Sequence, residues 1–262
     1  MFSFLTEEAD KRGIFVIQMF YNIILSKPFA EHYGLRTQDR NRPITPLIAD
    51  YTRKSIAAFI EKYPNVGLLV CLGEAMCTVE DDVEWFTKTI IPGVKDGLQA
   101  LGRTDEPPLL LRAHDTDCKL VMDAALPLYK NLYTMHKYNG ESLTTYEPRG
   151  PWAKIHTDLS SLGSIHISNV HILANLEPFR WGAPAFCTEG CKGHARCSWR
   201  KWPCIFTHRL LIGTGRTRLI SCRMANGSIS WTVTGYGIRP GDDMHGTVVV
   251  IVHRKLITGI IS

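Results

Sequence analysis

The chain has 262 residues, a net charge of +5 and 45% hydrophobic residues, which suits one α/β barrel or two small domains with a sizeable core. No apolar run approaches the roughly 18 residues of a membrane-spanning helix. Met1 to Asp10 lacks the basic-then-apolar order of a signal peptide.

Charge and cysteine are unevenly placed. From Phe186 onward there are 11 Lys/Arg against 3 Asp/Glu, or +8; the residues before it hold 19 against 22, or −3. Three of the eight cysteines precede Phe186 and five follow. The two parts therefore call for separate arguments, with a boundary between residues 185 and 186.

Gly13 to Leu25 is almost wholly apolar and reads as a strand covered on both faces. A polar stretch follows through Glu31-His32-Tyr33-Gly34 and the arginines beyond. Thr45-Pro46 has the form of an N-cap with proline at the first helical position, and Leu47 to Tyr63 continues as an amphipathic helix. Asn65 to Leu72 is a second buried strand, ending Gly73-Glu74. Glu80 to Asp82 suit the first turn of a helix that runs to about Leu101.

Pro107 to Arg112 is a third strand, whose exit carries Arg112, His114, Asp115 and Asp117. A helix over Lys119 to Leu128 leads to a fourth strand at Leu132 to Met135, which breaks at Asn139-Gly140. Lys137, Asn139 and Glu141 crowd that break. A helix at about Trp152 to Ser161 and a fifth strand at Ser164 to Leu173 complete the series. The last exit offers Asn175, Glu177, Arg180 and Trp181.

Five strands alternating with helices predict parallel βαβ units. No glycine-rich phosphate loop follows the first strand, which argues against a nucleotide-binding sheet. The expected fold is α/β: a partial parallel (β/α) TIM-type barrel over residues 1–185, followed by an irregular tail over 186–262. Five strands are too few to close a barrel, so the chain reads as a fragment of a larger enzyme.

In a barrel every strand exit opens at one mouth. Glu74, Glu141 and Glu177 then share that mouth, which suits the paired carboxylates of glycoside hydrolysis. One protonates the leaving oxygen and the other attacks the anomeric carbon or activates water. Arg112, Lys137 and Arg180 suit a substrate carboxylate, with His114, Asp115, Asn139 and Asn175 as further polar contacts and Trp181 as a stacking face. The plainer reading of each glutamate is an ion pair with a neighbour such as Arg112. His166 and His171, inside the fifth strand, read as packing residues.

The tail has Cys187, Cys191, Cys197 and Cys204 around His194, but no CxxC knuckle, so its zinc signal is weak. Its basic residues with Trp199 and Trp202 are an equally weak nucleic-acid signal. With suitable codons, a shifted reading frame of Phe206 to Ile220 becomes rich in aromatics and carboxylates. A frameshifted tail is therefore expected, and such a segment has no evolved fold.

KYNGESLTTYEPRGPW, HILANLEPFRWG and FYNIILSKPFAEHYG resemble segments of large TIM-barrel glycoside hydrolases of gut Bacteroidetes. The relatives in question are α-glucuronidase-like or α-galacturonidase-like, and the likeness spans about Gly13 to Ala185. It implies an oligo- or polysaccharide substrate containing uronic acid, no cofactor, no metal, no nucleic-acid or membrane partner, and a periplasmic or extracellular setting for the full-length parent. Many retaining barrel glycosidases place the acid/base at the end of strand four and the nucleophile at the end of strand seven. If Gly13 to Leu25 is strand three, Glu74 and Glu177 fill those places. Gly73 stands where such enzymes have Asn, which keeps Glu141 as a rival. A non-catalytic carbohydrate-binding or scaffold barrel is the alternative, and a metal-dependent hydrolase using His114, Asp115 and Asp117 is a weaker third.

Overall fold

The computed structural model describes residues 2–11, 14–20, 24–39, 42–74, 76–137 and 150–170, and the backbone of 204–208, 217–225, 228–236 and 249–253. The chain forms two compact units, Met19–Leu132 and Met1–Gln18 with Tyr133–Ser262. The expected boundary at 185 lies outside the described residues.

In the unit Met19–Leu132, helix α2 (Lys27–His32) interrupts the stretch expected to be only polar loop. Helix α3 (Pro46–Lys62) starts as expected, with the Thr45 side chain accepting from Ile48 N–H and Pro46 in the first turn. Strand β2 (Val66–Val70) and strand β3 (Leu109–Arg112) are buried at every position. They pair in parallel, with Leu68 opposite Leu109 and Val70 opposite Leu111. Continuous burial of branched and leucine side chains is the mark of a parallel sheet covered on both faces.

The acidic helix expected between these strands is built in three parts. Helix α4 (Val79–Trp85) is capped by the Thr78 side chain, which accepts from Asp81 N–H. A π-helical turn, Phe86–Ile90, joins it to helix α5 (Ile91–Ala100). Pro92 has no N–H, and its ring would meet the carbonyl four residues back in a regular helix. The widened turn relieves that conflict. Helix α5 packs on α3 through glycine: a Cβ at Gly93 would lie 2.8 Å from the Arg53 carbonyl oxygen, and one at Gly97 2.6 Å from that of Ala57. Arg53 closes the seam with two hydrogen bonds to Asp96, at 2.5 and 2.9 Å.

Helix α4 packs instead on helix α6 (Cys118–Ala125). Asp82 is buried there, and its Oδ1 has no hydrogen-bond partner among the described residues. Burial, with help from the charges of Asp81 and Asp117, pushes the Asp82 carboxyl up to about 7 from 3.8. The folded state therefore holds this proton more tightly than the unfolded chain does. Its favourable contribution is complete below about pH 4 and is lost as pH rises through about 7. On this account Asp82→Asn should stabilise the protein above pH 7 by roughly 2–4 kcal/mol. Urea midpoints across pH should show that advantage shrinking toward pH 4.

In the other unit, helix α1 (Phe2–Lys11) precedes strand β1 (Ile14–Phe20). Strand β4 (Leu132–Lys137) and strand β5 (Ile165–Val170) pair in parallel, with Tyr133 opposite Ile165 and Lys137 opposite Asn169. Helix α7 (Pro151–Ser160) connects them in sequence. The tail expected to be irregular carries backbone strands β6 (Cys204–His208), β7 (Thr217–Ala225), β8 (Ser228–Tyr236) and β9 (Val249–His253). Strand β6 runs parallel to β5, β7 and β8 form an antiparallel pair, and β9 runs antiparallel to β1.

The α/β class and the parallel pairing of neighbouring strands stand as expected. Among the described residues no helix is long and apolar enough to cross a membrane.

Candidate functional site

The exits of β2 and β3 bring Glu74, Arg112, His114 and Asp115 together. Strand β2 leads through buried Cys71 and Leu72 to Gly73 and Glu74. Because β2 and β3 run in parallel, both exits emerge at one end of the sheet. Arg112, the last residue of β3, is buried with its side chain turned along that end. Its Nη1 donates to Glu74 Oε1 at 3.1 Å and reaches Cys71 Sγ at 3.7 Å.

His114 lies on the solvent side of this pair. Its Nε2 is 3.5 Å from Glu74 Oε1 and 3.5 Å from Asp115 Oδ2. Side-chain exposure rises outward, from 6% for Arg112 through 19% for Glu74 and 38% for His114 to 68% for Asp115. Glu74 is thus a carboxylate braced from below by a buried guanidinium and open from above. A buried ion pair with a solvent-facing edge is able to present one carboxylate oxygen in a fixed orientation. The same contact also fits the plainer reading of Glu74 as the structural partner of Arg112.

Two backbone features hold the exits close. A Cβ on Gly73 would lie 1.9 Å from the Asp115 carbonyl oxygen, so only glycine fits. Asp115 itself adopts a left-handed φ of 52°. Asp117, read from sequence as part of this exit, instead caps α6, accepting from Leu120 N–H at 3.1 Å. Among the described residues no three His, Cys, Asp or Glu side chains are grouped to hold a metal ion.

In the other unit Lys137 ends β4, half-buried. Asn139, Glu141, Asn175, Glu177, Arg180 and Trp181 lie outside the described residues, as does His171. Next to Lys137 there is a buried histidine network that sequence reasoning missed. His166 Nδ1 is 3.0 Å from Thr134 Oγ1, and His166 Nε2 is 2.7 Å from His156 Nδ1. Ser168 Oγ is 3.4 Å from the same His156 nitrogen. The His136 ring lies 5.8 Å from that of His156 and 5.5 Å from Trp152.

Period-two placement explains the cluster: Thr134 and His136 share one face of β4, His166 and Ser168 share one face of β5, and α7 supplies His156. The expectation that His166 is a packing residue agrees with its full burial. His166→Leu removes a partner from both Thr134 and His156 in the interior. It should cost about 2–4 kcal/mol, read as a lower urea midpoint with an unchanged slope.

The chain is 84% identical to a solved GH138 enzyme targeting pectin rhamnogalacturonan II, with a TM-score of 0.68. The likeness is to a glycoside hydrolase. It covers 73% of this chain but only 22% of that enzyme, so the chain spans about a fifth of its relative's length. An Anoxybacillus α-amylase (13% identity, TM-score 0.37, covering 96% of this chain and 70% of its own) is too different in backbone to carry an argument. So is a pyridoxal kinase from Leishmania donovani (12% identity, TM-score 0.27, covering 87% and 74%). No protein-family model matches the sequence, and no curated relative does.

Proposed function

We propose that the chain is a segment of a glycoside hydrolase that cleaves a uronic-acid-containing pectin polysaccharide through a pair of carboxylates. The observation that carries this reading is the 84% identity to the GH138 enzyme over 73% of the chain. Identity at that level over that length leaves the chemistry of most side chains unchanged. The architecture implied is a (β/α) barrel, and the parallel pairs within each unit fit one. An α-galacturonidase-like or α-glucuronidase-like specificity suits the cations among the candidate residues, which match a substrate carboxylate. A periplasmic or extracellular setting goes with a polysaccharide substrate.

Glu74 is one carboxylate of the pair, with its partner drawn from Glu141 and Glu177. Arg112 orients Glu74, and Lys137, Asn139, Asn175, Arg180 and Trp181 are the remaining substrate contacts, with His114 and Asp115 at the rim. If the two carboxyls stand roughly 5–5.5 Å apart the enzyme retains anomeric configuration, and at roughly 6.5–9.5 Å it inverts.

The compositional shift at residue 186 supports reading 186–262 as a frameshifted tail, which the gene sequence tests: stops or nonsense in both other frames would end the idea.

The functional reading is tested by incubating the natural protein that carries this chain with pectin rhamnogalacturonan II and assaying released sugar. Release of a uronic acid is expected. Binding without any turnover would favour the non-catalytic carbohydrate-binding barrel instead.

A further inference from the structure

Thr116 makes two hydrogen bonds, each to backbone on a different strand exit. Its Oγ1 accepts from Gly73 N–H at 3.0 Å and donates to the His114 carbonyl at 3.1 Å. The turn between those contacts contains Asp115, whose φ of 52° is uncommon outside glycine. The Asp115 carbonyl is pressed against the Cα of Gly73, leaving no space for a side chain there. Glu74 follows Gly73 directly, and His114 stands two residues before Thr116. One hydroxyl therefore sets the spacing between the carboxylate and the imidazole beside it.

We propose that Thr116 is a positioning residue, whose hydroxyl clasps the β2 and β3 exits so that Glu74 is held between Arg112 and His114. The proposal rests on the reading of Glu74 as a reacting carboxylate. Arg112 from β3, Cys71 from β2, and His114 and Asp115 from the turn are the polar or titratable groups that face or flank it. A carboxylate must meet the anomeric centre in a narrow range of geometry, and a displacement of about 1 Å costs on the order of 100-fold in rate. The Arg112 contact alone fixes one oxygen. The clasp fixes the backbone from which the carboxylate projects.

Thr116→Val keeps the shape and removes the hydroxyl, whereas Thr116→Ser keeps the hydroxyl. Both are made in the natural protein carrying this chain, with pectin rhamnogalacturonan II as substrate. Hydrogen exchange of the Gly73 amide is followed in the same samples. Thr116→Val should lower kcat by about 10–100-fold with KM within about twofold, and Gly73 should exchange faster. Thr116→Ser should restore both.

A valine variant with wild-type kcat overturns the proposal. So does unchanged exchange at Gly73, or a loss that serine fails to rescue. Glu74→Gln is assayed alongside. If it keeps full activity, or the wild-type protein turns nothing over, the reading of Glu74 has failed and the positioning role falls with it. If it is inactive while Thr116→Val is normal, the positioning role alone has failed.

Discussion

On the proposed reading, Glu74→Gln in the natural protein that carries this chain is expected to lower kcat on pectin rhamnogalacturonan II by about 10²–10⁴-fold, with KM changed only a few-fold. That fall corresponds to roughly 3–5 kcal/mol of lost transition-state stabilisation. Glutamine matches glutamate in shape, so the hydrogen bond from Arg112 at 3.1 Å is weakened rather than lost. Its amide can neither give up a proton nor attack an anomeric carbon. The proposed catalytic role needs the open edge of Glu74, whereas a merely structural pair with Arg112 does not. Equivalent variants of Glu141 and Glu177 then sort the partner: the one whose loss matches that of Glu74 is the second carboxylate. If Glu74→Gln instead lowers only the melting temperature, the Arg112 pair is structural and the catalytic assignment fails.

The second large effect is on folding. Gly73→Ala places a methyl group 1.9 Å from the Asp115 carbonyl oxygen and 2.2 Å from its carbonyl carbon. Both are backbone atoms, so no side-chain rotation relieves the overlap. Either the 114–116 turn or the end of β2 must move, and the Thr116 clasp opens with it. The expected cost is about 3 kcal/mol, seen as a fall in melting temperature of roughly 6–12 °C in a chain of this size. An alanine variant that melts within a degree of wild type would show that the two exits are not in contact in solution.

Much of the fold was legible because its signals are local. Thr45-Pro46 announced the start of α3, and Glu80 to Asp82 announced α4. The unbroken apolar runs at β2 and β3 described strands buried on both faces. Other features needed a partner that sequence does not show. Helix α2 has no apolar period in its six residues, and nothing in Phe86 to Ile90 marks a π turn except the proline that follows it. The histidine network required knowing that α7 lies over the face shared by Thr134, His136, His166 and Ser168.

In the candidate site, the grouping of Glu74 with Arg112, His114 and Asp115 followed from strand order. Asp117 lies in the β3 exit as read, but its capping of α6 was missed, although an aspartate just before a helix is an ordinary N-cap signal. Thr116 was missed because a hydroxyl that binds only backbone carries no chemical signature of its own.

The π turn bears on how this sequence tolerates length changes. Helix α4 meets α6, while α5 meets α3 through Gly93 and Gly97. Each residue of a regular helix advances the direction of its side chain by about 100°. A π turn holds one residue more than an ordinary turn over about the same rotation. Deleting one residue between Phe86 and Ile90 would therefore shorten the wide turn to an ordinary one and leave Gly93 and Gly97 facing α3. Its cost would be the conflict between Pro92 and the carbonyl four residues back, not a lost seam. A single-residue insertion ahead of Gly93 would instead add about 100° and turn both glycines away from α3, so this segment should tolerate one-residue deletions better than one-residue insertions.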